Sequence, residues 1–278
     1  MAGAAMKDIS LRIRSVESTR QITSAMQLVA GSKLRRCCQR MEDTRPYLNA
    51  ARQVLSDIAS HDDVKSVYFE GNGSKDRCVV VIAGDRGLAG HYNAAVFKMA
   101  DELIDENTYV IPVGKKACDH YGRRKCKQFI SEFIKAETML PQDCRKIAEI
   151  VTTGYINGDF GSVTVVSTTF VSAMTQEAKT EELLPIQRVK GEKNHSQMIM
   201  EPGPAALLKS IMPDYLTGCL YAYVCDAVAS EMAARRNAMD SATKNADEMI
   251  HDLSLKYNRA RQGSITQEIT EIVAGAEQ

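Results

Sequence analysis

Helix breakers are missing from both ends of this 278-residue sequence. Between Ala4 and Arg45 the only glycine is Gly31 and there is no proline; between Cys219 and Gln262 there is neither. A glycine inside a helix costs about 1 kcal/mol relative to alanine and a proline about 3 kcal/mol. Two stretches this free of both restrict the ends of the chain to long helices. Nearly all remaining breakers lie between them, including the Gly71–Gly73 turn and "EPGP" at Glu201–Pro204.

Apolar residues recur near helical spacing in both stretches. In the first they are Ile9, Ile13, Val16, Ile22, Met26, Val29 and Cys37; in the last they run from Leu216, Leu220, Val224 and Ala227 through Ala246 and Met249 to Tyr257, then Ile265, Ile269 and Ile272. At 1.5 Å per residue such helices reach about 60–90 Å, too long to be buried in a domain of this size. They are expected to pack on each other as a coiled coil. The first 45 residues carry nine basic and four acidic groups, and residues 214–278 six and ten, so the two ends complement each other. Arg45-Pro46 is expected to interrupt or kink the first helix.

The middle alternates buried strands and helices. "RCVVVIAGDRG", "TYVIPVG", "KCKQFI" and "SVTVVSTTFVS" read as strands separated by helices at "HYNAAVFKMADELIDEN", "KKACDHYGRR" and "PQDCRKIAEIVTTGYINGD". Two further strands are expected at Leu183–Lys190 and Ser196–Pro202, with "SAMTQEAKTEELLP" as strand end and flexible loop. Alternation of this kind specifies a parallel sheet. The expected fold is therefore a Rossmann-like parallel α/β domain, residues 75–202, inserted between coiled-coil helices at 1–60 and 205–278.

Candidate chemistry is sparse. "AGDRGLAGHYN", Ala83–Asn93, follows a strand and opens a helix, where backbone N–H groups could cradle a phosphate. Its glycines, Gly84, Gly87 and Gly90, match neither the dinucleotide nor the P-loop spacing, so it reads as a structural turn, with a nucleotide- or phosphate-binding enzyme as the alternative. Adjacent Asp85 and Arg86 read as solvated or capping groups. The eight cysteines show no C-x-x-C pair and the five histidines are scattered, which argues against a metal site and for reduced thiols. No triad or carboxylate pair assembles. Formal net charge is zero, and the basic run Lys33, Arg35, Arg36 and Arg40 has no aromatic interleaving, which argues against nucleic acid. No apolar run approaches the roughly 20 residues of a membrane span, and the N-terminus lacks a signal-peptide core.

Three segments together carry a resemblance: "IRSVESTRQITSAMQLVAGSKLRR" (Ile13–Arg36), "AGDRGLAGHYN", and "SEMAARRNAMDSATKNADEMIHDLSLKYNRARQGSITQEITEIVAG" (Ser230–Gly275). They resemble the gamma subunit of F-type ATP synthases of the bacterial type. The resemblance implies a non-catalytic rotor shaft, one copy per complex, without cofactor or metal. Its terminal helices would form an antiparallel coiled coil and turn inside a ring of alpha and beta subunits, and its α/β domain would meet the epsilon subunit and the membrane c-ring. Antiparallel pairing would set Ile9 opposite residue 260 or so and leave the chain beyond about Thr266 without a partner helix. It implies catch contacts to the ring at Arg235, Arg261 and Gln262, and a bearing at Ile265, Ile269, Ile272 and Val273. Lys33 and Arg36 would lie on the shaft surface facing beta. Membrane association would be peripheral and indirect, on the cytoplasmic side of a plasma membrane or, as the alternative, on the matrix side of the mitochondrial inner membrane. The cysteine-containing insertion of the chloroplast type is not seen, so thiol regulation is not expected. Gly263 stands where many members have alanine.

Overall fold

The computed structural model describes residues 2–59, 66–130, 135–187, 201 and 203–276. Eleven elements follow in order. They are α1 (Ala2–Ala59), α2 (Val67–Glu70), β1 (Arg77–Ile82), α3 (Tyr92–Asp101), β2 (Thr108–Val113), α4 (Lys115–Tyr121), β3 (Gln128–Phe129), α5 (Pro141–Asn157), β4 (Ser162–Phe170), β5 (Gln176–Leu184) and α6 (Pro204–Ala276). The chain divides into two compact units. One holds residues 1–31 with 235–278, the other residues 32–234.

In the larger unit the strands form one sheet in the order β3-β2-β1-β4-β5. The first four are mutually parallel, while β5 runs antiparallel to β4. The expectation of a flexible loop at Ser172–Pro185 is thus corrected: most of that stretch is an edge strand. Its residues explain the misreading. Glu177, Lys179, Thr180, Glu181 and Glu182 are exposed, and only Leu183 and Leu184 are buried. A charged edge discourages pairing with another chain, but it lacks the apolar run that announces a strand. The strand expected at Ser196–Pro202 falls, apart from Glu201, outside the described residues.

Alternate residues of β1 feed two cores, as the pleat requires. Cys78, Val80 and Ile82 pack with α5 (Cys144, Ile147, Val151, Tyr155), the end of α1 (Leu55, Ile58) and the start of α6 (Leu208, Met212, Leu216, Leu220). Val79, Val81 and Ala83 pack with α3 and α4 through Val96, Ala100, Ala117 and Tyr121. The helical ends therefore supply one covering layer of the sheet within this unit.

The expected break at Pro46 does not occur: α1 runs through Pro46, as α6 does through Pro213. Proline removes one backbone donor and crowds the carbonyl four residues back. Packing around the site outweighs that cost. Thr44 is buried, and the Tyr47 ring lies against Gly218, where a Cβ would collide with it. The Tyr47 hydroxyl donates to the Asp214 carbonyl at 3.3 Å.

In the smaller unit α1 and α6 pair antiparallel through polar contacts. Thr23 meets Thr243 at 2.8 Å, Gln27 donates to Asp240 at 2.8 Å, and Arg20 pairs with Asp247. Ile22 and Val29, assigned to the apolar stripe from spacing, are each 57% exposed, as are Leu28 and Leu11 at 73% and 56%. Carried to the start of α1 at Ala2, this register ends the overlap near Ser264, slightly before the Thr266 expected.

Two stability tests follow. In Gly154→Ala the new Cβ would lie 2.5 Å from Cε1 of buried Phe160. Overpacking of about 1–3 kcal/mol exceeds the gain of about 1 kcal/mol in helix propensity. The melting temperature should fall by a few degrees. Gly263→Ala, with nothing within 4 Å of its new Cβ, should instead stabilise by about 0.5–1 kcal/mol. The second test concerns pH. Burial raises the Asp226 carboxyl from 3.8 to about 6, against Arg45 and with help from Glu181. A carboxyl whose folded pKa is raised contributes stability in acid that is lost as pH rises through about 6. Asp226→Asn should therefore raise the melting temperature at pH 8 more than at pH 4, flattening its pH dependence.

Candidate functional site

The strand order places β1 between β2 and β4, with connections leaving in opposite directions. Crevices at the carboxyl ends of such strands are where doubly wound sheets hold ligands. Here that position follows β1, at Gly84–Gly90, and α6 occupies it. A Cβ on Gly84 would lie 2.8 Å from Cδ and Oε1 of Glu231, which is 1% exposed. The Gly84 amide donates to Asn93 Oδ1 at 2.9 Å and its carbonyl accepts from Lys116 at 3.0 Å. Tyr92, the first residue of α3, donates its hydroxyl to the Ala227 carbonyl of α6 at 3.0 Å. Ser230 is fully buried, with its hydroxyl 3.5 Å from the Thr168 carbonyl near the end of β4. A carboxyl group of the protein's own helix thus sits where a phosphate-binding loop would hold an anion.

Asp85, read as a solvated or capping group, organises the neighbouring backbone. Its carboxylate accepts from the amides of Lys115 at 3.2 Å, Ala136 at 3.1 Å and Glu137 at 2.9 Å. The loop so fixed is tied to α1. Lys33 pairs with the Glu137 carboxylate, and Arg40 donates to the Met139 carbonyl at 2.9 Å. Arg40 also lies over the Tyr221 ring and donates to Cys225 Sγ at 3.3 Å. Two of the four basic residues in this run are therefore structural ties within the chain. Arg36 remains exposed.

The described side chains offer no nucleophile in a poised setting. Burial pushes the Cys37 thiol up to about 11 and those of Cys78 and Cys144 up to about 12, the direction of inert thiols. All eight cysteines are free. His120 is stacked on Phe97 at 4.2 Å. Among the described residues no group of three or more His, Cys, Asp or Glu could hold a metal, and no helix is long and apolar enough to cross a membrane.

Among the residues expected to meet a ring, Arg261 and Gln262 are exposed, whereas Arg235 is 7% exposed. Ile265, Ile269, Ile272 and Val273 are 48%, 56%, 71% and 54% exposed on the part of α6 that outruns α1. Sequence reasoning missed Glu231. Its signal was a lone carboxylate within "AVASEMAA", amid small and apolar residues.

The family model for ATP synthase matches residues 5–278. The ATP synthase gamma chain of Ruminococcus albus is 45% identical over 278 residues, covering 97% of this chain and 96% of that one. The sodium-ion-specific ATP synthase gamma chain of Acetobacterium woodii is 37% identical, with 98% of each covered. Among solved structures, a chain of the Euglena gracilis mitochondrial ATP synthase in rotational state 3 superposes with a TM-score of 0.74 at 18% identity, covering 99% of this chain and 94% of that one. A chain from the rotor of the same enzyme gives 0.69 at 18% identity, with 95% and 99% covered. A buried joint in place of a catalytic pocket, an exposed apolar helix end and full-length relatives all agree: the chain belongs to the ATP synthase gamma family.

Proposed function

We infer that this chain is the central rotor shaft of an F-type ATP synthase, coupling ion flow through the membrane c-ring to nucleotide chemistry in the alpha-beta ring. It is a non-catalytic subunit, with alpha, beta, epsilon and the c-ring as partners. Association with the membrane is peripheral, and the bacterial relatives favour the cytoplasmic face of a plasma membrane.

The observation that carries this reading is the exposed apolar end of α6. From Ile265 to Ala276 the helix runs about 18 Å past the position that the α1–α6 register sets opposite Ala2. Its isoleucines and Val273 are exposed there, and an exposed apolar patch of this kind marks an interaction surface. A hydrophobic socket at the top of a ring fits it. Leu11, Ile22, Leu28 and Val29, exposed on α1, extend the same demand down the helix pair. Arg261 and Gln262, just below the apolar turns, are placed to make polar catch contacts. Arg235 was assigned to the same contacts, but its burial makes it the lesser contributor. Lys33, paired with Glu137, leaves Arg36 as the basic group offered to beta. A charged hydrogen bond contributes about 1.5–3 kcal/mol, so a few of them can gate steps without carrying a whole stroke.

Replacing Ile265 and Ile269 by serine should leave the melting of the isolated chain within about 0.5 kcal/mol, because both are about half exposed, at 48% and 56%. Assembly with alpha and beta subunits, followed by gel filtration, should be weakened. Arg261→Ala or Gln262→Ala should slow ATP turnover of the assembled complex by up to about tenfold while the α/β unit melts unchanged. The isolated chain should hydrolyse no ATP. Unaltered assembly and turnover in both sets of variants would contradict this reading.

A further inference from the structure

A rotor shaft must pass torque from its α/β sheet to its long helices without slipping. Helix surfaces present similar ridges every turn, so resistance to slip needs a contact that fits in one orientation only. The described residues contain one such contact beside β1. The Glu231 side chain leaves α6 and ends against Gly84, the second residue past β1, so closely that no side chain larger than hydrogen fits there. On either side along α6, the Ala227 carbonyl accepts from Tyr92 and Ser230 lies against the end of β4. Three successive positions on one face of the helix are thus held by the ends of two adjacent central strands and the loop that follows one of them.

Gly84 is not in the left-handed region, so its backbone does not demand glycine. The demand comes from the Glu231 carboxyl and the neighbouring Asn93 Oδ1, 3.1 Å from the same hypothetical Cβ. A glutamate can usually swing its carboxyl aside, but one that is 1% exposed has no solvent to swing into. Arg40 and Lys33 fasten the 136–139 loop to α1, and Asp85 fastens that loop to the residue after Gly84. Both shaft helices are therefore anchored on one short segment, Gly84-Asp85.

We propose that Glu231 seated on Gly84 is the torsional key of the rotor, fixing the rotational setting of α6 on the sheet so that torque passes between them. Glu231 is a positioning residue for coupling. It touches no substrate, and the inference rests on the rotor reading above.

The test uses the assembled alpha-beta-gamma complex, immobilised through its ring, with a probe attached through the exposed Asp105–Asn107 turn of the sheet unit. Thermal angular fluctuations of the probe in the nucleotide-stalled complex report torsional stiffness. Gly84→Ala should widen the angular variance by about twofold or more, because a packed interior transmits strain and a displaced one yields. Adding Glu231→Ala should restore assembly and part of the stiffness lost in Gly84→Ala by freeing the space, a rescue that a general packing defect would not show. Should Gly84→Ala fail to assemble, Glu231→Gln and Glu231→Ala alone are measured, and both should also widen the variance. In intact complexes reconstituted in vesicles, the same variants should pump fewer ions per ATP hydrolysed. Unchanged variance in every variant that assembles, or absence of rescue in the double variant, overturns the proposal. A wild-type probe that does not rotate on ATP addition would instead overturn the rotor reading itself, so the two failures are distinct.

Discussion

Only a glycine at position 84 leaves room for the carboxyl group of Glu231, and around that contact α6 becomes part of the sheet's architecture. The loop that in other doubly wound sheets binds a ligand is here spent on the protein's own helix. Its remaining polar groups follow suit: Asn93 holds the Gly84 amide, Tyr92 reaches the Ala227 carbonyl, and Asp85 collects three amides from two further segments. The absence of a catalytic constellation among the described residues and the firmness of the helix attachment are one fact seen from two sides.

The two helices then serve different ends along their length. In the unit containing the sheet, α1 and α6 bury large apolar side chains such as Ile58, Leu208, Met212 and Leu216 in a common core. In the other unit they meet through threonines, an amide and the Arg20–Asp247 ion pair, beside the buried Ala30, Met239 and Ala246, and leave leucines and isoleucines exposed. Exposed ion pairs contribute at most about 1 kcal/mol each, so this pairing is held more lightly and its apolar surface is left for other subunits to cover.

Much of this was legible in the sequence, for reasons that can be traced residue by residue. The near absence of glycine and proline between Ala4 and Arg45 and between Cys219 and Gln262 specified the helices, because breakers cost more than a long helix can absorb unaided. The β1 run Cys78–Ile82 announced itself because a strand buried on both faces must be apolar throughout. The strand β5 escaped notice because an edge exposes Glu177, Lys179 and Glu181. Pro46 misled because local cost was outweighed by packing of Tyr47 on Gly218. Most of the α1 stripe, Ile9, Ile13, Val16, Met26 and Cys37, is half-buried, but periodicity cannot distinguish such residues from Ile22 and Val29, which are exposed. Glu231 was out of reach for a related reason: its partner, Gly84, lies far away in the chain, and no local pattern links them. The apolar stripe of Ile265, Ile269, Ile272 and Val273 was legible from its spacing, and its exposure is what motivates the proposed bearing.

The central claim is that this chain turns as one body while the ring around it does the chemistry. The most direct measurement follows a probe on the Asp105–Asn107 turn in a complex held by its alpha and beta subunits during ATP hydrolysis. The account predicts sustained rotation in one direction, at a rate that rises and falls with ATP turnover. A probe that stays at a fixed angle while ATP is hydrolysed at full rate would contradict it.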